Sequence, residues 1–271
     1  MLKIISADER MSNQGIKCMV LGEYGVGKTT LLRTLPEATT LFVDMEAGEL
    51  AVRGWKGDSI GTTEKDKIRD WESCRKIAAY IGGPNPHLRP DQAYSSMYYD
   101  RAVADFGDPS KLDKYTDVFL DSISVASRLC KQFADSEVIR TGQSNNKFAA
   151  YGILAQEMID WMTQLQHAAR KNVFFVGLLN KKKDDFGRVD YLLQIEGSKA
   201  GLEVPAIVDQ VVTMADVMCA DGIERKALIT KKKNDWNFPA KDRSGALDPL
   251  EPPHLGKLME KILNGVNPNY F

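Results

Sequence analysis

The sequence predicts an α/β fold, built as one domain over residues 1–271, with a mainly parallel central sheet covered by helices on both faces. Three observations lead to this prediction. Apolar runs of strand length alternate with segments of helical period. Parallel neighbours cannot be joined by a tight turn, so the helical segments serve as crossovers. The 271 residues, 43% of them hydrophobic, contain neither an internal repeat nor a long Pro/Gly linker that would divide the chain.

The predicted strands are short apolar runs bounded by polar residues, and the predicted helices are the periodic segments between them. In chain order, the strands cover residues 16–21, 40–44, 116–121, 172–179 and 210–215. The helices cover residues 28–35, 65–81, 122–134 and 149–170.

Two regions depart from this alternation. Residues 82–114 carry several prolines around an aromatic helical stretch at 93–106, which indicates an insertion on the rim of the domain. Near the end of the chain, Asp221-Gly222 separates two strand-like runs and predicts an antiparallel hairpin, because glycine tolerates the positive φ of a two-residue turn. A C-terminal helix at 255–263 follows a proline-rich break.

Composition excludes several classes of protein. Lys and Arg number 36 and Asp and Glu number 37, so the surface is not uniformly basic and any polyanion must be held by local clusters. The 4 cysteines and 3 histidines are scattered, which signals neither a disulfide framework nor a zinc site. The apolar runs are far shorter than the ~18 residues that span a bilayer. We therefore expect a soluble cytoplasmic protein with reduced thiols and no membrane partner.

The most specific motif lies between the first predicted strand and the first predicted helix. It fits the phosphate-binding pattern G-x-x-x-x-G-K-[ST], in which backbone N–H groups face a phosphate. We expect Lys28 to neutralise the β- and γ-phosphates and Thr29 to ligate Mg²⁺. The candidate nucleotide-binding residues are Gly22, Glu23, Tyr24, Gly25, Val26, Gly27, Lys28, Thr29 and Thr30.

Two carboxylates follow other predicted strands. Asp121 ends an apolar run and is suited to hold the Mg²⁺ shell from across the sheet, although a strand that ends in a helix-capping Asp gives the same pattern. Glu46 follows the strand at 40–44, which parallel pairing places with its carboxyl end at the ligand-binding edge. There Glu46 is a candidate to activate the attacking water, and a solvated loop acid is the alternative.

With these residues the sequence resembles the RecA-like recombinase ATPases, whose second strand ends in a similar Asp-x-Glu and whose magnesium motif reads apolar-Asp-Ser, as at Asp121-Ser122. It is most similar to the small phage-type, AAA-type nucleotide-binding proteins that include the Sak group of single-strand annealing proteins, over about residues 15–243. The resemblance implies a RecA-like P-loop fold, ATP and Mg²⁺ as cofactors, Glu46 as catalytic base, and action in the cytoplasm of a phage host.

The same resemblance assigns roles after the fourth strand. It implies that Asn180, which closes the strand at 172–179, senses the γ-phosphate and leads into a DNA-binding loop; a strand-end turn residue is the alternative. A second DNA loop is implied at 140–147. Tyr191 or Phe186 is available to stack on a base, while nearby acids dilute the charge and a solvated lysine run is the alternative. The candidate DNA-binding residues are Lys181, Lys182, Lys183, Arg188, Lys199, Lys147 and Arg140.

A second lysine cluster, Lys231-Lys232-Lys233, ends the second strand of the predicted hairpin, so Lys231 and Lys233 point to one side. In the resembling recombinases, lysines at this place reach the γ-phosphate of the neighbouring subunit, as an arginine finger does. This implies self-association into a ring or filament. The alternative is that these lysines keep a sheet edge soluble.

The expected function is a Mg²⁺-dependent, DNA-stimulated ATPase that couples ATP binding and hydrolysis between subunits to single-stranded DNA binding in recombination or strand annealing. A single-strand-binding protein is a candidate partner. The ATPase component of a DNA motor or helicase loader is the main alternative, followed by a structural nucleotide-binding module. A small-molecule kinase is disfavoured because no Arg-rich lid is found. A GTPase is disfavoured because Lys183 stands where a guanine-reading carboxylate is needed.

Overall fold

The computed structural model describes residues 4, 6, 14–63, 67–142, 146, 148–183, 187, 189–219 and 222–265. The strands found there are β1 (Lys17–Gly22), β2 (Thr40–Asp44), β3 (Asp58–Ile60), β4 (Asp117–Asp121), β5 (Asn172–Lys183), β6 (Val189–Leu193), β7 (Gln210–Met218), β8 (Glu224–Ile229), β9 (Lys241–Asp242) and β10 (Leu250–Glu251). The helices are α1 (Trp71–Gly82), α2 (Ser96–Phe106), α3 (Ile123–Arg140), α4 (Ala149–Gln166), α5 (Ser198–Ile207) and α6 (Leu255–Asn264).

All these strands belong to one sheet, with the order β10-β8-β7-β1-β5-β4-β2-β3, and with β6 beside β5 and β9 beside β7. The strands from β7 to β3 in this order are parallel. The strands β8, β10, β6 and β9 are antiparallel to their neighbours. The predicted fold class, a mainly parallel sheet with helices and an antiparallel C-terminal hairpin, is therefore confirmed. The loop after β1 and the end of β4 lie at the same carboxyl edge of the sheet.

The hydrophobic core lies on both faces of the sheet because successive strand residues point to opposite sides. On one face, Phe174 packs with Phe119, whose ring centroid is 6.4 Å away. On the other face, Phe175 contacts Trp161, which also packs against Trp71 with ring centroids 5.8 Å apart. Burial of each such side chain stabilises the fold by about 1.5–3 kcal/mol, and together they fix the strand ends that carry the polar residues.

The five predicted strands correspond to β1, β2, β4, β5 and β7, and each starts within one residue of its expected position. The helix predicted at 65–81 begins only at Trp71, because the side chain of Asp70 accepts a hydrogen bond from the backbone N–H of Ser73 at 2.7 Å and caps the helix there. The helix predicted at 122–134 continues to Arg140, and the one at 149–170 ends at Gln166.

Several expectations about local structure are wrong. The segment at 28–35 forms a short 3-10 helix, Thr29–Thr34, and no α-helix. A DNA-binding loop was expected directly after Asn180, but the chain there contains the end of β5, the strand β6 and the start of α5. The C-terminal hairpin exists, yet residues 219–223 separate β7 from β8, so its turn is longer than two residues. Gly222 there has a φ of 76°, while Asp221 lies outside the described residues.

Residues 82–114 contain α2 and a 3-10 helix, Pro109–Lys114, and this segment packs against α1. The rings of Tyr80 and Phe106 are 5.1 Å apart, and Lys76 Nζ lies 2.6 Å from Asp105 Oδ2. The helix predicted at 93–106 starts at Ser96, since the Ser95 hydroxyl accepts from the N–H of Tyr98. Among the described helices, none is long and apolar enough to cross a membrane.

Candidate functional site

The loop that follows β1 closes around its own lysine. Gly25 and Gly27 have φ values of 74° and 99°, which side-chain-bearing residues rarely adopt. A Cβ on Gly22 would lie 2.8 Å from the backbone oxygen of Met214, so glycine is required where the loop begins. Lys28 Nζ donates to the carbonyl oxygens of Gly22 at 3.0 Å and Glu23 at 2.8 Å. The buried ammonium therefore lies inside the loop and is held by neutral acceptors.

Electrostatics make Lys28 a suitable anion ligand. Burial lowers the pKa of its amine, whereas the charges of Asp121 and Glu46 act in the opposite direction. A phosphate oxygen would replace a neutral carbonyl partner with a charged one, and charge-assisted hydrogen bonds are the stronger kind. Lys28 therefore forms a stronger hydrogen bond with a bound phosphate than with a carbonyl of the loop.

Asp121, at the end of β4, lies directly beside Thr29. The Thr29 hydroxyl donates to Asp121 Oδ2 at 2.5 Å. Burial raises the pKa of Asp121 to about 6; the Thr29 hydrogen bond opposes this shift, and the charges of Glu46 and Asp44 add to it. Lys28 compensates the charge of an ionised Asp121 only in part. A cation bound between Asp121 and Thr29 would supply it.

The end of β2 presents two further carboxylates. Asp44 pairs in register with Asp121 across the sheet, and its Oδ1 accepts from the N–H groups of Glu46 at 2.9 Å and Gly48 at 3.2 Å. These bonds turn the chain so that Glu46 accepts a hydrogen bond from the Ser122 hydroxyl. Asp44 Oδ2 is buried without a hydrogen-bond partner among the described residues. An unsatisfied carboxylate oxygen at this depth is costly and again favours a cation or ordered water nearby.

Lys28, Thr29, Asp121 and Glu46 line a common cavity of about 420 Å³. Placing a polyphosphate there would set its negative charge beside Asp121 and Glu46, which requires a divalent cation between them. Mg²⁺ suits this arrangement because it is commonly held by one or two protein groups together with phosphates and water. The residues present therefore fit a Mg²⁺-nucleotide complex. The cavity is lined by Tyr24, Gly25, Gly27, Lys28, Thr29, Thr30, Glu46, Ala51, Asp121, Ser122 and Leu178.

Comparison with protein families agrees with this site. The family described as AAA domain matches residues 14–244. The chain belongs to this family. The protein is thus an AAA-domain P-loop ATPase, a class that binds nucleotide. A similar solved structure is the flagellar accessory protein FlaH from Methanocaldococcus jannaschii, with 11% sequence identity, coverage of 82% of this chain and 81% of FlaH, and a TM-score of 0.32. No curated protein matches the chain.

Not all predicted nucleotide-binding residues of the AAA-domain ATPase line this cavity. Gly22 lies beneath the loop, whereas Glu23 and Val26 line a neighbouring cavity. Sequence reasoning noted Asp44 and Ser122 as members of motifs but missed their role, which is to position Glu46. It also missed Lys226 of β8, whose Nζ donates to the Val26 carbonyl at 2.8 Å. A strand-end Asp two residues before Glu46 was the available signal for Asp44, because such residues often turn the chain with their side chains.

Asn180 does not end its strand, so that expectation is wrong. It is exposed in the antiparallel pairing of β5 with β6, opposite Leu192. The β5 residue that lines the nucleotide cavity is Leu178, which pairs in register with Gly22. The strand continues because β6 supplies hydrogen-bond partners beyond the parallel sheet. A γ-phosphate-sensing role for Asn180 stays a prediction.

Three of the lysines of the AAA-domain ATPase that were assigned to DNA binding lie on this two-stranded ribbon. Lys181, Lys182 and Lys183 are exposed at the end of β5. Lys199 is exposed in the first turn of α5, 3.9 Å from Glu203, and Arg140 ends α3 with its guanidinium 2.6 Å from Glu137. Lys147, Arg188 and Phe186 lie outside the described residues. Direct contact with DNA stays a prediction for all of them.

The second lysine cluster follows β8, which ends at Ile229, so the expected alternation of side chains along a strand does not apply. Lys231 Nζ lies 3.2 Å from Asp242 Oδ2, whose side chain is 2% exposed. This ion pair holds Lys231 within its own chain. Lys232 and Lys233 are exposed.

Proposed function

We propose that this AAA-domain ATPase binds and hydrolyses ATP between neighbouring copies and couples its nucleotide state to single-stranded DNA binding, in phage-type recombination or strand annealing. One observation carries the coupling. Tyr24 and Gly25 line the nucleotide cavity and also line a second cavity of about 650 Å³, which we call the ribbon cavity. Its other walls include Lys181, Tyr191 and Phe238. A change in the phosphate-binding loop therefore reshapes the lysine-bearing surface directly.

The ribbon cavity combines a lysine with aromatic rings, as single-strand binders do, and three acidic residues, Glu23, Asp216 and Asp235, also line it. The rings of Tyr191 and Phe238 are 4.3 Å apart, and Lys181 Nζ lies 5.8 Å from the Tyr191 ring centre. Exposed Lys182 and Lys183 continue the positive charge along the ribbon. Stacking of a base on such rings contributes about 1–3 kcal/mol and does not depend on base identity. Lysines add sequence-independent contacts to the phosphates.

The ATP site would work through five side chains. Lys28 binds the phosphates, and Thr29 with Asp121 would hold Mg²⁺, which when bound neutralises phosphate charge. Glu46 is exposed to the cavity and accepts from Ser122, so its second oxygen is oriented to take a proton from water. Asp44 positions Glu46 through its two backbone hydrogen bonds.

Catalysis between copies would involve Lys233, since Lys231 is held by Asp242. Mixed assemblies test this. Lys233→Ala copies are expected to lower the ATPase rate by more than their fraction in the assembly, because each would also disable a neighbour. Lys232→Ala copies serve as the matched control. A strictly proportional loss with Lys233→Ala would remove the role in trans.

The deciding experiment measures the ATPase rate with and without single-stranded DNA while particle size is followed. We expect DNA to raise the rate and the assembly to enlarge with ATP. Replacing Lys181, Lys182 and Lys183 with Ala should weaken DNA binding. It should also reduce the slope of log affinity against log salt concentration by about 2, because each of the three lost phosphate contacts contributes ~0.7 to that slope. The control replaces three exposed lysines elsewhere, Lys56, Lys111 and Lys257.

If neither DNA binding nor the salt slope changes in the ribbon variant, the ribbon is not the DNA site. If DNA leaves the ATPase rate unchanged in the wild-type protein, the coupling itself is rejected. ATP-dependent movement along DNA without strand pairing would identify a motor component and remove the annealing role.

A further inference from the structure

A third cavity, of about 740 Å³, shares no lining residue with the nucleotide cavity or the ribbon cavity. We call it the rim cavity. Its walls come from α1, α3, α4 and the start of the 82–114 segment. The residues that matter for its chemistry are Arg75, Tyr94, Glu137, Arg140, Glu157 and Asp160.

Tyr94 is the first sign of a missing partner. The residue is only 4% exposed, and its hydroxyl is buried without a hydrogen bond to any described residue. Native proteins pair nearly all such groups, so a buried unpaired hydroxyl that lines a cavity points to a ligand or an ordered water. The backbone of Tyr94 is in the left-handed region, with a φ of 67°. A hydrogen bond from the N–H of Asn85 to the Tyr94 carbonyl, at 2.8 Å, fixes this position.

The two arginines of the rim cavity already have anionic partners. Arg75 lies 2.6 Å from Glu72 and 3.4 Å from Glu157, and it packs over the ring of Phe133 at 4.7 Å. Glu157 also accepts from the Trp71 indole N–H at 2.7 Å. Arg140 is paired with Glu137 at 2.6 Å. Each guanidinium therefore has a carboxylate partner, while Arg75 Nε is buried without a hydrogen bond to a described residue. The lining carries four carboxylates, those of Asp91, Glu137, Glu157 and Asp160, against these two guanidiniums, so its net charge favours a cation.

Asp160, in contrast to Glu137 and Glu157, has no arginine partner among the described residues. Within the described residues, its recorded hydrogen bond is from Gln156 Nε2 at 2.8 Å, a neutral donor. Asp160 is an exposed residue of the cavity lining, and partial burial of its carboxyl raises its pKa. Leu88, Ala93 and the Phe133 ring supply apolar wall next to these polar groups.

We propose that the rim cavity binds an alkylammonium group, with Asp160 as its counter-ion, the Tyr94 hydroxyl as a hydrogen-bond acceptor, and the apolar wall packing against its methylene stem. Such a group is carried by a free polyamine or by a lysine side chain of a partner protein. Both sources share the charge and the stem, and the experiment below distinguishes them.

The test titrates the full-length chain, without nucleotide and at about 0.15 M salt, with spermidine in one arm and with N-acetyl-lysine amide in the other, by calorimetry. Binding of spermidine alone indicates a polyamine site, and binding of the lysine derivative indicates a protein partner. Asp160→Asn and Tyr94→Phe should each weaken the bound probe by about 10-fold or more, as expected for loss of a charge-assisted hydrogen bond. The matched control is Asp100→Asn, an exposed carboxylate on α2 outside the cavity.

Tyr94→Phe also shows whether a loss of binding arises from misfolding, because this variant is expected to fold. Removing an unpaired buried hydroxyl should leave the fold intact and raise the melting temperature of the unliganded chain. If neither probe binds, or if Asp160→Asn binds as tightly as wild type, the proposal is overturned. Equal weakening by Asp100→Asn would show general attraction to surface acids and would overturn it as well.

Discussion

The two edges of the central sheet both bury charge, but they satisfy it differently. At the amino edge, Lys17 Nζ donates to the carbonyl oxygens of Gly15, Ala168 and Lys171 at 2.8–3.0 Å. Asp117 accepts from Asn172 Nδ2 at 2.9 Å and from the Thr116 hydroxyl at 2.8 Å. At the carboxyl edge, Asp44 Oδ2 has no described partner and Asp121 has a raised pKa. The chain itself satisfies Lys17 and Asp117 at the amino edge, where Gln210 Oε1 is a buried atom without a described partner, whereas Asp44 and Asp121 at the carboxyl edge are placed to bind a ligand.

The two buried lysines make this difference concrete. Burial lowers the pKa of both, that of Lys17 to about 8. Lys17 connects the start of β1 to the turn between α4 and β5, so its bonds hold these two parts of the fold together. Lys28 donates only to its own loop and faces two acids across a cavity. The first lysine is therefore structural, and the second is placed to exchange its partners for a phosphate.

The largest effect is expected from Lys28→Ala. Removing the ammonium leaves phosphate charge unneutralised, so ATP turnover should fall by ~10³-fold or more, the range seen when an oxyanion ligand is deleted. Initial-rate ATPase measurements check this. Lys17→Met is the matched control: it should lower stability but leave turnover per folded molecule unchanged. Wild-type turnover in Lys28→Ala would place the nucleotide elsewhere.

Glu46→Gln should come next. The amide retains the shape and the contact with Ser122 but cannot take a proton from water, so hydrolysis should slow by ~10²-fold while ATP binding persists. Single-turnover hydrolysis and nucleotide binding, measured separately, distinguish the two steps. Glu49→Gln, an exposed acid three residues away, should leave both unchanged. An unaffected hydrolysis rate in Glu46→Gln would assign the proton acceptor to another group.

Asp121 and Asp117, at opposite ends of β4, should contribute differently to the stability of the fold. Folded Asp121 keeps its proton up to about pH 6, against 3.8 for the ordinary carboxyl, so its contribution to stability falls as pH rises from about 4 to about 6. At pH 7 the ligand-free Asp121→Asn chain should therefore be more stable than wild type, by about 1–3 kcal/mol. Asp117→Asn, at the other end of β4, should instead lose about 1 kcal/mol with its hydrogen bonds.

Urea unfolding at pH 5, 6 and 7 measures both variants. The advantage of Asp121→Asn should shrink at the lowest pH, where wild-type Asp121 is protonated in the folded chain. A loss of stability in Asp121→Asn at pH 7 would show that Asp121 is satisfied as Asp117 is, and the contrast between the edges would not hold.

The sequence predicted the parts of the site that depend on local pattern and parallel topology. Lys28 and Thr29 are fixed by one contiguous motif, and Asp121 and Glu46 by the rule that parallel strands end at a common edge. The strand β5 was predicted to end at Leu179 because apolar residues stop there. Its continuation depends on pairing with β6, a contact that no local periodicity records.

The same limit applies to Lys231 and Asp44. Lys231 was grouped with its sequence neighbours by charge, but its partner Asp242 lies in a later strand and is brought near by tertiary packing. Asp44 was recognised as part of an Asp-x-Glu pattern, yet its function as a hydrogen-bond acceptor for the loop depends on backbone geometry. A run of lysines in the sequence shows that positive charge is present. The direction in which each lysine side chain points depends on which strands pair.

The smallest expected effect concerns Lys17 and has the opposite pH sign to that of Asp121. Folded Lys17 releases its proton near pH 8, against 10.5 for the ordinary amine, so its contribution to stability grows as pH rises between these values. Buried Cys18, Cys74 and Cys130 have raised pKa values and oppose this trend, but they are common to wild type and Lys17→Met and cancel in the difference. The stability of wild type relative to Lys17→Met should therefore rise by about 1 kcal/mol between pH ~7.5 and ~9 in paired urea titrations. A flat difference would mean that the Lys17 amine keeps its proton at the amino edge, held by its three carbonyl partners.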